Sequence, residues 1–180
     1  MTDEDRLPDP TSVLPALARA RGGVILRYRS PAAHVAEIVR IRRLARTAGV
    51  PVLISGPLRL ARRLGLDGAH YAEARAAATP GPPRRTLWLT CTAHNARSLA
   101  TAARIGADAA VVAPAFPTVS HPGAPVLGAV RFARLVRDAK VPIIALGGID
   151  SRTVARLPPH VAGIAAIGAL ARELSRRSAR

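Results

Sequence analysis

Along nearly its whole length the chain alternates short, almost wholly apolar runs with longer segments of helical periodicity, joined by brief connections. That alternation constrains the fold more than any other feature. A run apolar at every position, rather than at every second one, is buried on both faces, which implies a parallel sheet covered by helices. Thr11 to Arg21 reads as a helix capped by Thr11 and closed by Gly22-Gly23, and Val24 to Tyr28 as a strand. Ser30-Pro31 is an N-cap followed by an N1 proline, opening a helix to about Ala48 that Gly49 stops. Val52–Ser55 is a strand, Leu58–Leu64 a short helix, and Gly68–Tyr71 a brief strand. Residues 72–85, with Pro80-Gly-Pro-Pro83, carry loop punctuation with room for one helical turn. The same order continues with strand Thr86–Cys91, helix Asn95–Ile105, strand Ala109–Ala113, and a long loop through Phe116 to Pro125. Helix Leu127–Ala139, strand Ile143–Leu146, helix Ser151–Arg156, strand Gly163–Ile167 and a helix from Leu170 complete the reading. The expectation is an α/β fold with a parallel sheet, seven strands and up to eight helices in one domain over residues 1–180, and the pattern leaves open whether one strand is missing.

Two of these strands end in glycine: Ile143-Ile-Ala-Leu-Gly-Gly-Ile149 and Gly163-Ile-Ala-Ala-Ile-Gly-Ala-Leu170. Glycine lets a backbone approach a ligand closely, and the first N–H groups of a following helix have no internal partner. Side by side, such turns make a phosphate pocket, and in an eight-stranded barrel they would be strands seven and eight, the usual phosphate-holding pair. The same glycines also suit tight turns that bind nothing.

Composition narrows the partners. A net charge of +16 suggests nucleic acid, but aromatic residues for base stacking are only 3% and no helix-turn-helix, zinc-finger or RNP pattern is present. The basic residues are almost all arginine and spread along helical faces, as an Ala-, Arg-, Gly- and Pro-heavy coding bias would write them. No specific nucleic-acid partner is expected. No apolar run is long enough to span a bilayer, and Met1-Thr-Asp-Glu-Asp5 is wrong for a signal peptide, so no membrane partner is expected. A lone Cys91 cannot form an internal disulfide, and the expected location is cytoplasmic. A homo-oligomer is left open.

Several motifs, taken in order, resemble the thiamine phosphate synthase family, which includes the thiazole tautomerases. Thr2-Asp3 with Leu7-Pro-Asp-Pro10 resembles the segment after that family's first strand, and Gly23-Val-Ile-Leu-Arg-Tyr-Arg29 its second strand. Leu60-Ala61 with Gly65-Leu-Asp-Gly-Ala-His70 resembles its "LA…GADGVH", and Thr92-Ala-His94 its Ser-x-His turn after the fifth strand. Gly106-Ala-Asp108 through Pro114-Ala-Phe-Pro-Thr118 resembles "GAD…GP-x-F-x-T", and Ala145-Leu-Gly-Gly-Ile149 resembles "AIGGI". Family members place an apolar strand just before the Thr-Asp element, where Met1 stands here, so the resemblance implies an α/β fold of TIM type, a (β/α)8 barrel lacking its first strand in this chain.

The resemblance implies a transferase that joins hydroxymethylpyrimidine diphosphate to thiazole phosphate, with small phosphorylated ligands as its partners and Mg²⁺ in the family's site. Here the two aspartate positions of that metal site read Gly56 and Arg75, so no metal ligand is assigned and no cofactor is expected. The lysine of the family's "T-x-x-K" loop reads His121, and the strand-two Arg/Lys pair reads Arg27 and Arg29. Arg27, Arg29, Arg59, Arg75 and His121 could neutralise the diphosphate without metal, the arginines because guanidinium forks suit phosphate oxygens, and Arg27, Arg29 and His121 are the catalytic candidates. Thr92, His94, Thr118, Gly147, Gly148, Ile167 and Gly168 are the substrate-binding candidates. Two other readings stand beside the transferase: a silent barrel that binds a phosphate monoester, and a tautomerase-like isomerase whose expected acid/base histidine reads Pro114. His70 is equally a site residue and a core histidine, and Trp88 and Phe132 are read as core.

Overall fold

The computed structural model describes residues 1–5, 7, 9–82, 86–118, 123 and 125–167. These residues form seven strands that alternate with helices, the parallel (β/α) architecture of the TIM class; no eighth strand occurs among them. The chain divides into two compact units, residues 1–70 with Ile167, and residues 71–166.

The first unit begins with a 3₁₀ turn, Pro10–Val13, running into α1, Leu14–Arg19. Its cap is Asp9, whose carboxylate accepts the Thr11 N–H at 2.9 Å; Thr11 is the first donor and not the cap expected of it. Strand β1, Val24–Leu26, is shorter than the run to Tyr28, because beyond Leu26 its N–H groups bond to side chains of residues 2 and 4. A turn Pro31–His34 leads into α2, Val35–Thr47, which ends before Gly49 at φ 69° as read. Parallel pairing joins β1 to β2, Val52–Ser55, and β2 to β3, Gly68–Tyr71, with α3, Leu58–Arg63, between them. Leu26, Ile38, Ile41 and Ile54 are wholly buried.

The second unit carries α4, Glu73–Ala77, the single helical turn allowed for in 72–85. Strands β4, Trp88–Ala93, β5, Ala109–Val112, β6, Ile143–Leu146, and β7, Gly163–Ala165, pair in parallel in that order. Helix α5, Ala96–Arg104, starts at Asn95 in a reciprocal cap with Ser98, and α6 spans Gly128–Val136. The predicted helix 151–156 shrinks to a 3₁₀ turn, Val154–Arg156. The helix read from Leu170 lies outside the described residues. Phe132 is fully buried, whereas Trp88 is 55% exposed: as the first residue of β4 it precedes the buried part of that strand.

One device recurs. In Gly65-Leu66-Asp67 and Gly106-Ala107-Asp108, glycine at φ 62° and 63° ends a helix, an apolar residue turns inward, and aspartate starts the next strand. The Asp67 carboxylate accepts the Val52 N–H at 2.7 Å while its own N–H donates to the Val52 carbonyl. Asp108 treats Leu89 identically, at 2.7 Å. Each pair clamps the start of a strand to its neighbour, so the "GxD" segments that carry part of the resemblance are structural locks.

Candidate functional site

In parallel (β/α) folds the residues following the C-terminal ends of strands build the site. In the first unit those residues are Arg27 and Arg29, just beyond β1. Thr2 lies against the β1 backbone, its N–H donating to the Ile25 carbonyl at 2.8 Å and its hydroxyl accepting the Arg27 N–H at 2.8 Å. This places the acidic run Asp3-Glu4-Asp5 over the two arginines. Arg27 Nη2 meets Asp3 Oδ2 at 2.6 Å. Arg29 donates its backbone N–H to Glu4 at 2.9 Å, and its guanidinium reaches Glu4 and Asp5 at 3.4 Å each. Arg27 and Arg29 therefore carry carboxylate partners already. Arg29 nevertheless keeps 81% of its side chain exposed, so its charge is open to an incoming anion.

Behind this cluster His70 is 3% exposed in β3, a core position. Burial first, then the Met1 ammonium and Arg27, push its imidazole down to about 4, so it is neutral at pH 7. Gly56, after β2, offers only backbone; its N–H donates to the His70 carbonyl at 3.1 Å.

In the second unit the residues after β3 to β6 form a continuous set of contacts. His94, after β4, has Nδ1 2.6 Å from the Ala113 carbonyl oxygen, so Nδ1 carries the proton and Nε2 faces outward. Nε2 lies 3.8 Å from Glu73 Oε2, at the start of α4. The sequence reading missed this pairing, because residues 73 and 94 are brought close only by adjacent strand ends. Ala113 opens the loop that reaches β6. Its next residue, Pro114, follows a cis peptide bond and lies where a Cβ on Gly147 would come within 3.0 Å.

Gly147 and Gly148, at φ 98° and 63°, are thus explained in part by their own chain. A Cβ on Gly148 would sit 2.6 Å from the Phe116 carbonyl oxygen and closer still to that of Pro117. The glycine turn is a docking point for the 114–117 backbone. The helix start beyond it is also engaged: Asp150 accepts the N–H groups of Arg152 and Thr153 at 2.9 Å each. Those hydrogen bonds hold its carboxyl below the usual carboxylate range. A phosphate here would meet the glycine turn and not that helix end.

Thr92 is half-buried in β4 and Thr118 half-buried just past Pro117. Ile167 is half-buried in the first unit. His121 and Gly168 lie outside the described residues. The guanidinium of Arg75, at the second aspartate position, lies 5.8 Å over the Tyr71 ring. With glycine at one expected ligand position and a cation at the other, the donor set does not fit Mg²⁺, which requires hard oxygen ligands. Among the described residues no three His, Cys, Asp or Glu side chains group as a metal site, and no helix is long and apolar enough to cross a membrane.

The family model for thiamine monophosphate synthase matches residues 3–170. The thiamine-phosphate synthase of Aromatoleum aromaticum is 32% identical over 173 residues, covering 89% of this chain and 81% of the relative. That of Chloroflexus aurantiacus is 30% identical, covering 83% and 72%. Among solved structures, thiamine phosphate pyrophosphorylase from Pyrococcus furiosus superposes with a TM-score of 0.73 at 21% identity, covering 98% of this chain and 93% of its own; that likeness is one of fold.

Proposed function

The chain belongs to the thiamine monophosphate synthase family, and on that premise we propose that it is a transferase joining hydroxymethylpyrimidine diphosphate to thiazole phosphate in thiamine biosynthesis. The observation that carries this reading is the family match over residues 3–170, with polar side chains at the strand ends where such folds do chemistry. The bond between the pyrimidine methylene and the diphosphate oxygen breaks, its electron pair leaving with diphosphate. The thiazole nitrogen lone pair then forms the new N–C bond, and the nitrogen keeps the positive charge. The barrier lies in the charge developing on the leaving group, which fixed cations stabilise.

In this proposal Arg27, Arg29 and His121 supply that stabilisation. Arginine is permanently charged and its fork matches phosphate oxygens in pairs. Thr92, His94, Thr118 and the turn at Gly147-Gly148, with Ile167 and Gly168, hold the phosphorylated substrates. No step is routed through Mg²⁺.

A second reading, a barrel that binds a phosphate monoester without turnover, is favoured by the engagement of Arg27 and Arg29 with Asp3, Glu4 and Asp5. An isomerase would have to use the Glu73–His94 pair, since Pro114 occupies the expected histidine position. The deciding experiment follows thiamine phosphate formation from the two substrates, with Mg²⁺ and with EDTA, beside calorimetry of thiazole phosphate binding. The transferase reading expects turnover that survives EDTA. Turnover abolished by EDTA would overturn the metal-free mechanism, and binding without turnover would establish the second reading.

A further inference from the structure

Outside the strand ends, the first unit carries a half-open cavity of about 720 Å³ between α2 and α3. One wall is Val35 and Val39, one helical turn apart on α2 and each 42% exposed. The opposite wall is half-buried Leu60 on α3, with Leu64, just after that helix, lining the groove while only 7% exposed. Helix α2 already turns Ile38, Ile41 and Ala45 wholly into the core, and Val35 and Val39 form a second apolar row that the described residues of this unit leave exposed. Paired aliphatic rows on two helices are the surface against which a third helix packs.

The rim determines the charge of that third helix. Arg42, Arg59 and Arg63 line the same groove, and among the described residues none of them has a carboxylate partner. Arg42 is held in place by donating Nη1 to the Leu64 carbonyl at 3.1 Å. Arg59 and Arg63 stand four residues apart on α3, the spacing that matches two carboxylates one turn apart on an incoming helix. A second copy of this chain is a poor occupant: with 27 basic and 11 acidic residues it would set arginine against arginine.

From the apolar rows and their guanidinium rim we infer that the α2–α3 groove docks an acidic amphipathic helix of a partner protein. The inference stands whether or not the chain turns over. The test uses fluorescence anisotropy of the full chain with a labelled 16-residue helical peptide. That peptide carries leucines at i, i+3, i+4 and i+7 and glutamates flanking them. Binding is expected, weakened about tenfold or more by Arg59→Glu with Arg63→Glu, and about fivefold by Val35→Ser with Val39→Ser. The charge-matched pair Arg131→Glu with Arg134→Glu, on α6, is expected to change affinity by less than about twofold. Circular dichroism checks that each variant is folded.

Equal loss in the α6 pair, or equal binding of the peptide with lysine in place of glutamate, would reduce the effect to general attraction and overturn the inference. So would displacement of the peptide by dodecyl phosphate, which would make the groove a small-amphiphile site. Concentration-dependent dimerisation in sedimentation velocity, abolished by the Arg59/Arg63 pair, would overturn it in favour of a second copy. Failure of the peptide to bind wild-type protein would also end it.

Discussion

Replacing Gly148 by alanine tests whether the glycine turn after β6 exists for the chain's own packing. Two costs add at this position. The first is the left-handed backbone, φ 63°, which a Cβ disfavours by about 1–2 kcal/mol. The second is steric: the new Cβ meets the carbonyl oxygens of Phe116 and Pro117, backbone atoms that cannot swing aside like a flexible side chain. Overpacking of this kind costs about 1–3 kcal/mol. Gly49 is the built-in control, with φ 69° and nothing within 4 Å of its Cβ position, so it carries the first cost without the second. Gly49→Ala should therefore lower stability by about 1–2 kcal/mol and Gly148→Ala by about 2–5 kcal/mol. For a chain of this length about 1 kcal/mol moves Tm by roughly 2–4 °C, so the two melting curves separate clearly. Urea titration followed by circular dichroism measures both variants on one scale. Equal destabilisation would refute the packing argument and return the turn to a role in ligand binding alone.

Three further outcomes follow from the described contacts. Glu4→Gln with Asp5→Asn should tighten inorganic pyrophosphate binding by about two- to fivefold in calorimetry, because exposed ion pairs are worth about 0.2–1 kcal/mol each and these two shield Arg29; unchanged affinity would place the anion site elsewhere. Cys91 is wholly buried and burial pushes its thiol up to about 11, so a thiol-specific dye should label it only after denaturation; prompt labelling of the folded protein would contradict the burial. His70 is held down at about 4 in the folded state, whereas an unfolded imidazole titrates near 6.5. The unfolded chain thus binds the extra proton first, and stability should fall as pH drops from about 6.5 to about 4, by on the order of 3 kcal/mol. Urea midpoints across that range, compared with His70→Gln, check this: a slope that persists undiminished in the variant excludes His70 as its source.

Much of this architecture is local and could be read along the chain. Strands such as Ala109–Val112 are apolar at every position because both faces are buried, and the Gly49 stop and the Asn95 start follow from end-group hydrogen bonding that a few adjacent residues supply. The readings that failed turned on the residue at which an element starts. Thr11 has a cap-forming hydroxyl, but Asp9, two residues earlier, reaches the open N–H first. Trp88 is apolar enough for a core, yet β4 begins at that residue and enters the interior only at Leu89.

Apolar period, glycine and proline punctuation and motif order are all carried by contiguous residues, so the class of fold, the order of its elements and the family are legible along the chain. What the polar residues touch is set by the folded structure. It set Asp3, Glu4 and Asp5 against Arg27 and Arg29, 24 or more residues away, and Glu73 against His94. It also wedged the 114–117 backbone against Gly147 and Gly148. Parallel strands separated by helices bring together the ends of segments far apart in the chain, and no local pattern records which side chains will meet there.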